Sequence, residues 1–165
     1  MTDFDNIHRH TRKRHIALSL LLALFIDLIP IPEPINSWLP ECTALLMLYW
    51  ALYRPQNIGI GVAFFLGILM DIGLGTPLGE HALAYTIAVY VILQNQRQVS
   101  LYPFGLQSLA ILGTLLLIQC ILIVVTFFQS HQFAGWSLLV APFTSALLWP
   151  LLNKLMLYLS QSHRL

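Results

Sequence analysis

GILMDIGLGTPLGEHALAY, residues 67–85, is the stretch on which the reading of this chain turns. It opens as lipid-soluble helix, carries one acid at Asp71, breaks at a run of Gly, Thr and Pro, and resumes with Glu80 and His81. Gly59, Ala63, Gly67, Asp71 and Gly75 recur at a spacing of four, so on a helix they share one slowly drifting stripe. Small side chains at that spacing admit another helix at close range, and Asp71 on the same stripe faces protein rather than lipid. An ionisable group belongs there, since at mid-membrane it costs at least about 2.5–3.5 kcal/mol. Gly73, Gly75, Thr76, Pro77 and Gly79 then form a tight turn, with Pro77 suited to the first helical position and Thr76 to the cap before it. Glu80 falls in the first turn, where the helix dipole favours a carboxylate. At a rise of about 1.5 Å per residue, Asp71 and His81 reach similar depth, so the two are expected to pair or share a water.

Outward from this stretch, the whole chain is apolar. Of its 165 residues 58% are hydrophobic and only 9% are charged, against about 25% charged in a soluble domain. Such a chain cannot cover itself with polar surface in water, and an all-α integral membrane protein follows. Six apolar segments stand out, at 16–31, 38–53, 58–74, 78–94, 102–128 and 134–159. A span takes about 20 residues; the first four segments are short for this, and the last two are long enough to tilt. The basic run RHTRKRH precedes the first segment, which ends in Asp27 and PIPEP without a small-x-small pattern, so it is expected to stay as a span. The predicted organisation is a basic tail over 1–15, one six-helix bundle over 16–159 and a short tail over 160–165.

Charge tests that count. The eight Lys and Arg residues are Arg9, Arg12, Lys13, Arg14, Arg54, Arg97, Lys154 and Arg164. With six spans all of them fall on one side, whereas the opposite connections PEPINS, GTPLG and QSHQFAG contain none. The positive-inside rule then puts both termini in the cytoplasm. Asp3 and Asp5 share the cytoplasmic tail, but Asp27, Glu33, Glu41, Asp71 and Glu80 gather at the outer rim, and no acid follows Glu80. The basic tail is expected to meet anionic lipid headgroups, at about 1 kcal/mol per Lys or Arg.

Chemistry finds little material. There is no HExxH, no paired DxxD, no GxSxG elbow and no glycine loop leading into Lys-Ser or Lys-Thr. His8 and His10 read as a solvated pair, and Cys42 and Cys120 share no motif. No catalytic residue, cofactor, metal or nucleic-acid partner is expected. Gln107 and Gln119 in the fifth segment and Asn153 in the sixth suit interhelical hydrogen bonds, worth about 0.6 kcal/mol on average. Pro142 and Pro150 predict a kinked sixth helix. The 67–85 constellation admits three readings: a clamp between two helices, a seat for a partner span, and proton or ion coupling. One Asp and one His are thin material for the third.

The longer stretch LPECTALLMLYWALYRPQNIGIGVAFFLGILMDIGLGTPLGEHALAY resembles the core of the MreD family, the bacterial rod shape-determining membrane proteins. The resemblance is carried by a second span begun at Pro40, by Tyr49-Trp50 and Arg54-Pro55, and by Gly67, Asp71, Gly75, Leu78, Gly79 and the Ala82-Leu83-Ala84 run. Tyr102-Pro103, Gln107 and Trp149-Pro150 extend it downstream. Residues 40–42 depart from it, reading Pro-Glu-Cys where Pro, an Asp or Asn, and often Trp would stand. The resemblance implies a non-enzymatic scaffold in the bacterial cytoplasmic (inner) membrane that acts with MreC. It also implies the RodA glycosyltransferase with its class B penicillin-binding transpeptidase as neighbours, and MreB filaments reached indirectly. A further implied likeness is to the substrate-binding subunits of energy-coupling vitamin transporters. That likeness supplies the rival reading, an uptake subunit whose outward pocket would be lined by Trp38, Glu41, Glu80 and His81. An intramembrane enzyme ranks third, for want of a second catalytic residue.

Overall fold

Each of the six apolar segments becomes one helix, and no strand forms among the described residues. The computed structural model describes residues 3–32, 38–130 and 139–162, with side chains for 13–32, 38–103, 105–128 and 139–156. The helices are α1 (Asp3–Asp27), α2 (Cys42–Tyr53), α3 (Ile60–Leu74), α4 (Glu80–Leu101), α5 (Phe104–Ser130) and α6 (Val140–Ser162). The connections PEPINS and QSHQFAG, the side chains of His8 and His10 and those of the C-terminal tail lie outside the described residues.

Several details differ from the sequence reading, and α4 runs on to Leu101 past the expected end at residue 94. The basic stretch expected as a tail is helical, because α1 already runs from Asp3. α2 starts at Cys42 rather than Trp38, where Asp27 of α1 meets its first free N–H groups. Pro142 does not bend α6, since it lies in the first turn, where a missing N–H breaks no helical bond. Pro150 alone sits inside that helix.

Burial explains the arrangement. α2 is apolar all round and buried from Thr43 to Tyr49 and at Ala51 and Leu52, as a central helix should be. It touches α1, α4, α5 and α6. α4 is the other hub, packed against α2, α3 and α5. α3 buries only Ala63, Leu66, Gly67, Met70 and Asp71, one stripe at helical spacing, and lays it on α4. Its remaining surface, with Ile60, Val62, Phe64, Phe65 and Ile72, is exposed. Leu18, Leu22 and Phe25 of α1 and Leu147 and Leu151 of α6 are exposed in the same way. Apolar cover on this scale marks a surface that meets a membrane or another protein. Among the described residues, one helix taken singly, Gly105–Phe128, is long and apolar enough to cross a bilayer, and α2 and α3 are shorter apolar helices of 12 and 15 residues.

The contacts also fix direction. Asp27 at the end of α1 meets the start of α2, and Asp71 near the end of α3 meets the start of α4. Glu80 at the start of α4 meets Thr126 near the end of α5. The acids of the described hairpins therefore share one end of the bundle. Arg54, Arg97 and Lys154 lie toward the other, around the ends of α2 and α4 and the later part of α6.

Candidate functional site

The α3–α4 hairpin is built around a contact with no room for a side chain. A Cβ placed on Gly67 would come within 2.3 Å of the Ala82 Cα and 2.4 Å of its nitrogen. The two backbones touch there, and Ala63 and Met70 above and below are buried in the same seam. The stripe read from sequence is therefore split. Ala63, Gly67 and Asp71 face α4, whereas a Cβ on Gly59 or Gly75 would meet nothing within 4 Å. This corrects the idea of the stripe as a seat for a foreign span, because α4 of the same chain already occupies it.

Gly75 closes α3 in a left-handed conformation (φ 68°), which brings its own N–H and that of Thr76 onto the Asp71 carbonyl. The chain then turns back and α4 begins at Glu80, with Gly79 (φ 104°) as a cap that has no side chain to offer. Thr76 and Pro77 do not cap or open α4 as the sequence suggested. Capping comes from across the hairpin: the Asp71 carboxylate accepts the Gly79 N–H at 2.7 Å and the His81 N–H at 2.9 Å. The Thr76 hydroxyl donates to it at 3.2 Å, which is where that side chain is spent. His81 Nδ1 stands 2.8 Å from Asp71 Oδ1, and an ionised carboxylate can only accept, so the imidazole presents Nδ1–H to it.

Magnitudes decide why a fully buried acid is tolerated. Hydrogen bonds to a charged group contribute about 1.5–3 kcal/mol each, and Asp71 receives four from Gly79, His81 (twice) and Thr76. Together they exceed the roughly 2.5–3.5 kcal/mol of placing the acid in a bilayer. The N-terminus of α4 also points its positive dipole end at the carboxylate.

The same device recurs one hairpin earlier, where sequence reading saw only a rim acid. Asp27, the last residue of α1, accepts the Cys42 N–H at 3.0 Å and the Thr43 N–H at 2.6 Å. A carboxylate closing one helix thus caps the next in both hairpins. The signal was present: an Asp at the end of an apolar run, followed by a helix start lacking a capping side chain of its own.

Other predicted positions separate into two groups. At the opposite end, Gln107 of α5 joins four helices: its Oε1 accepts from Trp149 Nε1 and Asn153 Nδ2, both at 3.2 Å, and its Nε2 donates to the Tyr53 hydroxyl at 3.1 Å and the Val99 carbonyl at 3.4 Å. Tyr49 is buried beside this knot, with its ring 4.8 Å from Tyr53 and 6.0 Å from Trp149. Trp50 ties α2 to α1 through Ser19 at 3.0 Å. Arg54 ends α2 at φ −140° and ψ 59°, outside the helical region that a following proline disfavours. Leu78, by contrast, is 72% exposed, and the Pro40 carbonyl accepts a weak Cys42 Sγ contact at 3.7 Å. Of the four residues suggested as lining an uptake pocket, Trp38 is 61% exposed, Glu41 is bonded to Gln119, Glu80 to Thr126 at 2.6 Å, and His81 is held by Asp71. Among the described residues no group of three or more His, Cys, Asp or Glu could hold a metal ion.

Comparison with known proteins agrees with the geometry. The family described as rod shape-determining protein MreD matches residues 9–159. The rod shape-determining protein MreD of Haemophilus influenzae is 32% identical over 130 residues, which cover 79% of this chain and 80% of that protein. No solved structure matches the chain. Neither relationship favours transport. A matched segment running from the basic start of α1 almost to the end of α6 takes in both acid-capped hairpins and the Gln107 knot, and this chain belongs to the MreD family of rod shape-determining membrane proteins.

Proposed function

We propose that the protein is a non-enzymatic scaffold of the cell-elongation machinery, crossing the bacterial cytoplasmic membrane six times with both termini inside. In this reading it binds MreC and, directly or through it, the RodA and class B transpeptidase pair. MreB is reached indirectly, and the basic start of α1 rests on anionic lipid. Rod-shape determination is then the outcome of holding peptidoglycan synthesis to one membrane platform.

The observation that carries the reading is how the polar groups are used. The Asp71 carboxylate, the one acid deep in the bundle with an imidazole beside it, accepts four hydrogen bonds from its own hairpin. An acid fixed in this way is spent on holding its own helices together. The exposed apolar faces of α1 and α3, each helix packed mainly on one neighbour, leave room for partner spans.

Two experiments test it. Pull-down of the tagged chain from its own host in mild detergent should recover MreC together with the cell-wall synthase; recovery of a transport coupling subunit with paired ATPases would overturn the scaffold role. Reporter fusions after Asn57, Gly75 and Tyr102 should alternate between cytoplasmic, external and cytoplasmic signals. Failure of that alternation would remove the six-span topology while leaving the partners open.

A further inference from the structure

Length divides the helices that expose apolar faces into two kinds. α5 carries an uninterrupted apolar run over Gly105–Phe128, 24 residues, and exposes Leu106, Leu109, Val124, Phe127 and Phe128 along it. At about 1.5 Å per residue that run is about 35 Å long. α3 has 15 residues and exposes apolar side chains from Ile60 to Leu74, about 21 Å. On α1 the run is shorter still, because Lys13, Arg14 and His15 are exposed on one side of it and the helix ends at Asp27 on the other. Ile16 to Asp27 covers about 17 Å. The hydrocarbon core of a typical bilayer is about 30 Å thick.

Neither short helix can borrow length from the chain beside it. Irregular backbone does not face lipid inside the hydrocarbon, where its N–H and C=O groups would go unmet. α3 is bounded by such backbone at both ends. The connection before it runs from Arg54 to Gly59 and includes Gln56 and Asn57. The one after it runs from Gly75 to Gly79, and a Cβ on either glycine would meet nothing within 4 Å, so this turn is open to its surroundings. Past Asp27 the chain leaves the helix for Leu28–Pro32, with two prolines. Snorkelling of Lys13 and Arg14 adds a few ångströms to the reach of α1. Tilt adds none, because it reduces the depth a helix covers; it lets the long α5 fit a thinner layer. The short helices therefore set the thickness, and the long one adapts.

We propose that the exposed faces of α1 and α3 bind a collar of phospholipid whose acyl chains form a hydrocarbon layer only about 20–25 Å thick, so that the protein thins the bilayer around it. Among the described residues α1 packs mainly on α2 and α3 mainly on α4, which leaves both faces to this lipid. A second copy would not remove the mismatch, since two short helices side by side span no more than one. A partner span that docks on either face exchanges with the collar. The inference rests on the six-span topology, which the reporter fusions test separately.

The test reconstitutes the full-length chain in vesicles of phosphatidylcholine with two monounsaturated chains of 14, 18 or 22 carbons, each with the same fraction of phosphatidylglycerol of matching chain length. The midpoint of thermal unfolding should be highest at 14 carbons and fall by about 4 °C or more by 22. Ile72→Lys places a charge inside the exposed run of α3 without touching the stripe packed on α4. It should at least double that fall. If this variant does not reconstitute, Phe64→Lys, one turn in from the other end of the same run, replaces it. A midpoint highest at 18 or 22 carbons overturns the proposal, as does a fall that the lysine leaves unchanged. Indifference to chain length overturns it too, and would mean that a second copy rather than lipid covers the two faces.

Discussion

The two ends of the bundle solve the same problem with different chemistry. At one end helices are joined by carboxylates, Asp27 to α2 and Asp71 to α4, each aimed at backbone N–H groups that a helix start leaves free. At the other a neutral amide, Gln107, collects Tyr53, Val99, Trp149 and Asn153 from three other helices. A charge makes the stronger bond and the larger loss when its partners go. A neutral knot is weaker per contact but spreads over more of the molecule. The acid end therefore fixes hairpins, and the amide end fixes how hairpins sit together.

Substitutions sharpen this contrast. The largest effect is expected at Gly67, because Gly67→Leu must push two backbones apart that leave 2.3 Å for a Cβ. A loss of about 4 kcal/mol or more, the extreme of what single changes do, should appear as failure to recover folded protein in detergent. Next is Asp71→Leu, which strands the Gly79 and His81 N–H groups; a loss of about 3 kcal/mol is expected in denaturant titration. The same variant should leave His81 open to diethyl pyrocarbonate, whereas unchanged reactivity would mean the imidazole is held by something other than Asp71. Gln107→Leu should cost less, about 1–2 kcal/mol, since membrane hydrogen bonds average well under 1 kcal/mol each. Its signature is different too: hairpins should survive, and cross-links between α2 and α6 should be lost first. If Gln107→Leu proved as damaging as Asp71→Leu, the contrast between the ends would fail. The smallest effect is expected for Gly75→Ala, about 1 kcal/mol, because only the left-handed backbone resists a Cβ that has open space around it.

Sequence alone revealed six helices because their apolar runs are separated by Pro, Gly and charge. It also revealed the close α3–α4 seam, since Ala63, Gly67 and Asp71 recur within one helix. It missed where α4 begins, because Thr76 and Pro77 look like a helix start and nothing local says that Thr76 is spent on Asp71. The four-helix role of Gln107 was equally hidden. That residue, Trp149 and Asn153 are each visible as polar or aromatic, but only the packing of α5 on α6 makes them one network. Local pattern reveals elements and caps, and long-range partners depend on neighbours that no spacing rule names.

The reach of these bonds along the chain also bears on how the protein is made. Asp71 sits in a helix of 15 residues, a poor candidate for entering a bilayer alone. Its partners are 8 and 10 residues further on, so at about 5–20 residues per second a ribosome delivers them within roughly two seconds. α3 and the start of α4 can thus leave the translocon as one unit, with the acid already sheltered. Gln107 must wait for Asn153, 46 residues later, so the knot at the far end closes only when the last helix arrives. Biogenesis would then run from charged hairpins toward a neutral lock, and the bundle is complete only once that lock has closed.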